Sequence, residues 1–227
     1  MVNSYFATLV VMCCTTKGSE NMATTIPIII TNTNILVYDK TNDEFKAFTL
    51  PGISTQPNIP FYHSYAKKIA ESQHYVKEFI KSIHSGRLSK NVLAIVVPDD
   101  TSALEAIFIN EFFLHSGACK AVAQITMGQT LSKDIEAYIS ISKSSRNIVL
   151  QYIRNNEIQA CRYYDADDYD VNQIKEDAKR LHIDIEYEKT PIFVNNFNLI
   201  TRTIPAINAF ITKNVKSCFT FVCKTSV

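Results

Sequence analysis

The chain has 227 residues, of which 46% are hydrophobic and 20% charged, and its formal net charge at pH 7 is +1. This balance excludes an intrinsically disordered polypeptide and gives no strong attraction to nucleic acid, so we expect a folded protein that binds none. The six cysteines form no CxxC pair and have no histidine at metal-ligand spacing. We therefore expect no disulfide framework, no metal and a cytoplasmic location.

The first 21 residues have no place in the pattern that follows. Residues 5–14 form an apolar run that is too short to span a membrane and lacks the flanking residues of a signal peptide. We expect no stable membrane insertion. Codons for residues 17–20 can spell a ribosome-binding sequence, which favours translation from Met22 over Met1, with residues 1–21 as a non-native or disordered extension.

The next segment predicts a three-stranded meander and a long helix. Its β-branched runs, bounded by the Asn-rich turn 31–34 and a second polar turn, indicate strands at residues 26–30, 34–39 and 45–50. Between residues 62 and 83, apolar side chains recur three, four or seven positions apart, which is typical of one face of a helix. Gly86 supplies the stop signal.

A strand, helix and parallel strand complete the first half, at residues 91–97, 102–116 and 121–125. Ser102 and Glu105 have the spacing of a capping box. We expect the helix that they open to be the most buried of this half, because its residues leave almost no polar face. The apolar residues concerned are Ile107, Phe108, Phe112 and Leu114.

The second half repeats this order of elements. The predicted strands are 136–142, 147–153, 157–164, 192–194 and 218–222, and the predicted helices are 170–182 and 204–211. Residues 183–187 are expected to be extended or irregular. Alternation in the first of these strands gives it one polar face, which carries Ser140 and Ser142.

This repeated order, βββαβαβ, resembles the actin, Hsp70 and sugar-kinase superfamily. LAIVVPDDTSALEAIFINEFFLHSGACKAVAQI (93–125) resembles a strand, proline turn, helix and strand of bacterial actin homologues and Hsp70 proteins. EAYISISKSSRNIVLQYIRNNEIQACRYYD (136–165) resembles the second phosphate hairpin, and PIFVNNFNLITRTIPAINAFI (191–211) the adenosine motif. The resemblance implies an α/β protein with two ribonuclease H-like lobes, residues 22–130 and 131–227, without large inserted subdomains.

Three turns depart from the pattern of that superfamily, in which glycines let the backbone approach phosphate and an Asp organises Mg²⁺. The residues at these positions are Thr31, Asn32, Thr33 and Asn34 in the first hairpin, Ser142, Lys143, Ser144, Ser145 and Arg146 in the second, and Asn195 and Asn196 in the adenosine turn. A β-carbon blocks close backbone approach, and neither hairpin offers a carboxylate for Mg²⁺. We therefore expect no catalytic residue and no cofactor.

Two functions stay open at this point. The resemblance and its departures favour a non-enzymatic module, a pseudo-ATPase that binds a protein partner or assembles with itself. The alternative is a nucleotide-binding actin-like ATPase with atypical phosphate loops, which would use ATP and magnesium. In either case the three turns are expected to line the mouth of a cleft between the lobes. Lys143 and Arg146 are the candidates to meet an anion there, although a plain exposed turn would have the same composition.

Other acidic residues and the histidines suggest structural roles. Asp99 and Asp100 follow a predicted central strand, where a metal or acid-base role competes with stabilisation of the next helix start. The acidic run 165–170 resembles a calcium loop but lacks its glycine and closing Glu, which favours capping of the following helix. The histidines fall on helix surfaces and ends, without a nucleophile held by a tight turn.

Overall fold

The computed structural model describes residues 25–31, 34–48, 50, 59–84, 88–132 and 135–196. They belong to two compact units that divide between Thr126 and Met127. The predicted helix 204–211, the predicted strand 218–222, the extension 1–21, and Asn32 and Thr33 all lie outside the described residues. No helix among the described residues is long and apolar enough to cross a membrane.

The first unit contains a five-stranded mixed sheet with the order β3-β2-β1-β4-β5. Its strands are β1 (Thr25–Ile30), β2 (Ile35–Asp39), β3 (Glu44–Phe48), β4 (Val92–Val97) and β5 (Ala121–Thr126). The meander β1 to β3 is antiparallel, whereas β4 is parallel to both β1 and β5. This order is the one expected of a ribonuclease H-like lobe, and it confirms the strands predicted from the first half of the sequence.

The predicted long helix is two helices of different winding. A 3₁₀ helix covers Phe61–Lys68, and the α-helix α1 covers Ile69–Ile83. Tyr62 and Tyr65 are buried, but Ile69 is 43% exposed. The apolar face predicted from one continuous helix is therefore interrupted, because a 3₁₀ segment turns every three residues and shifts the phase of the α-helix that follows.

The helix α2 (Ala103–His115) begins as predicted. Ser102 Oγ accepts from the Glu105 backbone N–H at 3.3 Å, and Glu105 Oε2 accepts from the Ser102 N–H at 2.8 Å, which confirms the capping box. Its inner side buries Ile109, Phe112 and Phe113.

As predicted, α2 is the more buried of the two α-helices described in the first unit, with four buried residues of thirteen against three of fifteen in α1. Its apolar side chains are nevertheless not all on the inner side. Leu104 is 77% exposed, Ile107 58% and Leu114 37%. A helix lying on a sheet can bury only one side against it, so its additional apolar residues face outward regardless of their number.

The second unit repeats the first four strands of this plan. Its sheet has the order β8-β7-β6-β9, formed by β6 (Ala137–Lys143), β7 (Asn147–Arg154), β8 (Glu157–Asp165) and β9 (Ile192–Asn196). β6 is antiparallel to β7 and parallel to β9, as β1 is to β2 and β4. Asn155 and Asn156 have positive φ in the β7–β8 turn, where the sequence predicts a turn. The duplicated order is thus confirmed through the fourth strand.

Two helices of the second unit differ from the sequence predictions. α3 covers Val171–Lys179, and Asp170 caps it by accepting from the Asn172 N–H at 2.8 Å, but the helix ends before the predicted residue 182. The expectation of an extended or irregular segment at 183–187 is wrong, because α4 (Asp184–Tyr187) forms one helical turn there. Arg154 stabilises this turn by an ion pair with Asp184.

Candidate functional site

The structure brings two of the three predicted turns together in the second unit. In the parallel pair β6–β9, Ser142 lies opposite Asn195, and Lys143 lies opposite Asn196. Asn195 and Asn196 are the last residues of β9 rather than a turn. The prediction of a turn at these asparagines is therefore wrong, because the parallel pairing continues to the last residue of β6 and holds them extended.

The β6–β7 hairpin is closed by its own hydrogen bonds. Ser144 Oγ accepts from the backbone N–H groups of Arg146 at 3.0 Å and Asn147 at 3.1 Å. The Ser144 N–H donates to the Asn147 carbonyl at 2.9 Å. A phosphate group would have to compete with the Ser144 hydroxyl for these amides. None of the hairpin residues is among the described residues with positive φ, so the turn forms without the backbone conformation that favours glycine.

Lys143 is engaged with the segment that precedes α3. Its Nζ donates to the Ala166 carbonyl at 2.6 Å and lies 4.9 Å from the centroid of the Tyr169 ring. The backbone continues this contact, since the Ala166 N–H donates to the Arg146 carbonyl at 3.0 Å. The ammonium group predicted to meet an anion therefore already has a carbonyl and an aromatic face as partners.

A buried polar strip lies beside this hairpin on one face of the second sheet. Ser140 and Ser142 alternate along β6, Gln151 is opposite Ser140, and Asn195 is opposite Ser142. All four side chains are buried. Ser140 Oγ, Gln151 Oε1 and Asn195 Nδ2 have no hydrogen-bond partner in the described part of the chain. The polar face predicted for β6 exists, and it is covered rather than exposed.

Sequence reasoning missed the contribution of Gln151 to this strip. The signal available was a single amide in the otherwise apolar strand NIVLQYIR, at a position that the structure buries. Without the register that places Gln151 opposite Ser140, nothing in the sequence connects the two side chains. Buried polar atoms are nearly always satisfied, so this strip is a place where a water molecule or a polar ligand atom would be stabilised.

Thr31, from the first predicted hairpin, belongs to the first unit. Its hydroxyl lies 2.8 Å from Asn34 Oδ1 and 3.0 Å from the Asn34 carbonyl, and it accepts from the Asn34 N–H at 3.1 Å. Thr31 is itself buried. The hydroxyl thus stabilises the β1–β2 connection.

Asp39, the last residue of β2, also has a structural role. Asp39 accepts from Lys46 Nζ at 2.6 Å and from Asn42 Nδ2 at 2.8 Å. The Lys46 ammonium holds the pKa of the Asp39 carboxyl well below its usual range, with the amide bonds adding to the effect. This carboxylate closes the β2–β3 turn.

The other acidic residues singled out in the sequence lie after β4 and before α3. Asp99 and Asp100 are buried after β4, and the N-cap of α2 is Ser102. Asp165 Oδ1 accepts from the N–H groups of Asp167 and Asp168, and Asp170 caps α3, which confirms the capping interpretation of this run. Among the described residues, no three His, Cys, Asp or Glu side chains are grouped so that they could hold a metal ion.

Three histidines of the first unit contact a glutamate or a backbone carbonyl. His63 Nε2 lies 2.7 Å from Glu105 Oε1, and His115 Nδ1 lies 3.4 Å from Glu111 Oε2. His84 Nε2 lies 2.8 Å from the Tyr38 carbonyl oxygen. Burial lowers the pKa of His84, and this hydrogen bond partly offsets the effect. The contacts of His63 and His84 join elements of the first unit, whereas that of His115 lies within α2.

No protein-family model matches the chain, and no curated protein matches its sequence. Solved structures are similar to it at low identity. MreB5 of Spiroplasma citri bound to ADP is 11% identical over 64% of this chain and 53% of that chain, with a TM-score of 0.45. An AlfA filament bound to AMPPNP is 10% identical over 85% of this chain and 86% of that chain, with a TM-score of 0.46. The chain therefore spans about half the length of MreB5.

A third similar structure is the ethanolamine utilization protein EutJ from Carboxydothermus hydrogenoformans. It is 10% identical over 92% of this chain and 89% of that chain, with a TM-score of 0.47. The strand orders β3-β2-β1-β4-β5 and β8-β7-β6-β9 repeat one plan in the two units. This repeat confirms the expected α/β fold with two similar lobes through the fourth strand of each, and the actin-like ATPase architecture stays a prediction.

Proposed function

We propose that this protein is a non-hydrolysing interaction or assembly module, a pseudo-ATPase built on the actin-like fold. The observation that carries the proposal is the environment of Lys143, whose ammonium group donates to the Ala166 carbonyl at 2.6 Å beside the Tyr169 ring. Charge stabilisation of a transferring phosphoryl group requires cations directed at its oxygens. A lysine held by its own fold does not provide this without breaking both contacts.

The two hairpins also lack the carboxylates that would hold magnesium. Magnesium is bound through carboxylates and phosphate oxygens. Neither hairpin has an Asp or Glu where the resemblance implies one, and Asp39 is paired with Lys46. The lack of a carboxylate in the hairpins and the pairing of Asp39 with Lys46 support a site that does not hydrolyse ATP.

Assembly or partner binding is supported from two directions. The AlfA structure named above is a filament, and that property is carried to this chain only as part of the proposal. The first unit exposes Leu104, Ile107 and Leu114 on a single helix. Apolar side chains grouped on a surface are typical of protein interfaces.

The second candidate function is nucleotide binding by atypical phosphate loops, with ATP and magnesium as cofactors. It is favoured by the buried atoms without partners, Ser140 Oγ, Gln151 Oε1 and Asn195 Nδ2, which could receive polar ligand atoms. The residues proposed to bind the nucleotide are Thr31, Asn32, Thr33, Ser142, Lys143, Ser144, Arg146, Asn195 and Asn196.

A thermal shift measurement separates the two candidates. A ligand that binds only the native state stabilises it by about 2.7 kcal/mol at one hundred times its Kd. We expect ATP with Mg²⁺ to leave the melting temperature of the chain unchanged. A rise that is lost in the double variant Lys143→Ala, Arg146→Ala, and kept in the control Lys179→Ala, would favour nucleotide binding. Lys179 is exposed on α3 and forms an ion pair with Glu176 at 2.7 Å.

A further inference from the structure

The outer side of α2 carries an aliphatic stripe interrupted by one carboxylate. The stripe consists of Leu104, Ile107, Glu111 and Leu114, all of which are exposed. Scattered exposed leucines are ordinary on protein surfaces. Here three large aliphatic side chains share one side of a single helix that also buries its opposite side in the core of the first unit.

The spacing of the stripe matches a helix-packing seam. Its members are three, four and three residues apart, which is the a-d-a-d pattern that meshes with the side chains of a second helix. Ten residues of α-helix rise about 15 Å, so the stripe offers roughly three turns to a partner. Amphipathic helices recognised in this way present anchors at the same intervals.

Glu111 determines the charge of the partner. Its carboxylate is in the middle of the seam, and His115 Nδ1 lies 3.4 Å from Glu111 Oε2. A helix docked along the seam would remove this carboxylate from water. Burying a carboxylate is unfavourable unless a cation compensates it, so the matching surface needs a lysine or arginine at that position.

A second copy of this chain does not meet that requirement through the described helices. The stripe itself contains no lysine or arginine, so pairing it with its own copy would place Glu111 against aliphatic side chains or against the other Glu111. In α1 the buried residues are Ser72, Val76 and Ile80, and in α3 they are Ile174 and Ala178. Neither of these helices presents an exposed aliphatic seam with a cation at its centre.

We infer that the stripe of α2 docks an amphipathic helix of another protein, with aliphatic residues at the same spacing and a lysine or arginine facing Glu111. This inference rests on the proposed function and specifies the partner of the interaction module. Aliphatic contacts supply the affinity, and the central ion pair sets the register and excludes helices that carry an acidic residue there.

Binding of designed peptides to the full chain tests the inference. The probes are fluorescein-labelled, 18-residue helical peptides with leucine at three of four seam positions and Lys or Glu at the remaining inner position. The variable position is placed second in one pair and third in the other, so that antiparallel and parallel docking are both covered. The protein variants are Ile107→Ser and Glu111→Lys, with Tyr187→Ser as a control at an exposed aromatic residue of the second unit.

We expect one Lys peptide to bind in fluorescence anisotropy titrations at least about tenfold more tightly than its Glu counterpart. Ile107→Ser should weaken it about tenfold, since an aliphatic anchor is lost. Glu111→Lys should reverse the preference, so that the Glu peptide binds better. Tyr187→Ser should leave binding unchanged, and all variants should keep the melting temperature of the parent chain.

Several results would overturn the inference. These are no saturable binding of either Lys peptide, equal binding of Lys and Glu peptides, or no reversal by Glu111→Lys. A dimer in sedimentation, or binding to phosphatidylcholine and phosphatidylserine vesicles, that is abolished by Ile107→Ser would assign the stripe to a second copy or to a membrane surface instead. Phosphate release from ATP tests the proposed function independently, because it does not involve α2.

Discussion

Replacement of Phe112 by alanine tests how the core of the first unit is held together. Phe112 is 3% exposed on the inner side of α2. Its ring centroid lies 5.3 Å from that of Phe113 in an edge-to-face arrangement and 5.7 Å from that of Tyr65. The side chain therefore packs α2 against the 3₁₀ helix that precedes α1.

The expected loss of stability is about 3–5 kcal/mol. An aromatic side chain buries roughly 150–250 Å². At about 25 cal/mol per Å², full burial is worth about 4–6 kcal/mol, which is an upper bound because the unfolded chain already buries some of this area. Alanine retains the β-carbon contacts, while the cavity that it leaves adds to the loss, which gives the range observed for Phe→Ala changes.

The assay is urea unfolding of the full chain, followed by far-UV circular dichroism. The matched control is Ile107→Ala in the same helix, where the side chain is 58% exposed. This control should cost less than about 1 kcal/mol, since most of its surface already contacts water. Equal losses for Phe112→Ala and Ile107→Ala, or a loss below about 1 kcal/mol for Phe112→Ala, would refute the assignment of inner and outer sides of α2.

Three further predictions concern local features of the first unit. Ser102→Ala should lower the unfolding free energy by about 1 kcal/mol in the same assay, because it removes the hydroxyl that accepts from the Glu105 N–H. Ser102→Asp should recover most of this free energy relative to Ser102→Ala. Gly117→Ala should cost on the order of 1 kcal/mol, because φ at this residue is 71° and a β-carbon disfavours that conformation; an unchanged midpoint would contradict this. The folded pKa of His84 is lowered from 6.5, so its contribution to stability is complete above about pH 6.5 and is lost as the pH falls through the folded pKa. The loss of unfolding free energy between pH 7 and pH 5 should be smaller in His84→Gln than in the parent chain, and an identical loss would contradict the prediction.

The order of elements along the chain was predictable from the sequence because local patterns indicate each strand and helix. A short, β-branched apolar run such as residues 92–97 favours a strand covered on both faces, and Ser102 with Glu105 indicates the start of the next helix. The repeated order of elements then carried the resemblance from which two similar lobes were expected. The outward side of α2 was not predictable, because an all-apolar helix carries no periodicity that says which side meets the sheet.

The candidate site was predicted less well, for reasons of pairing and tertiary contact. Asparagines favour turns locally, but parallel pairing with β6 keeps Asn195 in a strand. The sequence does not reveal that Lys143 reaches the Ala166 carbonyl, 23 positions further along the chain. The polar strip became visible only through the strand register that places Gln151 opposite Ser140.

The central claim of the proposed function is that this protein does not hydrolyse ATP, and phosphate release from ATP by the purified full chain tests it most directly. The measurement compares the parent chain with the double variant Lys143→Ala, Arg146→Ala at several Mg²⁺ concentrations, after their melting temperatures show that both are folded. The account predicts no difference between the two proteins, since any common background comes from a contaminating ATPase. Saturable, Mg²⁺-dependent release by the parent chain that disappears in the double variant would contradict the account and establish the nucleotide-dependent alternative.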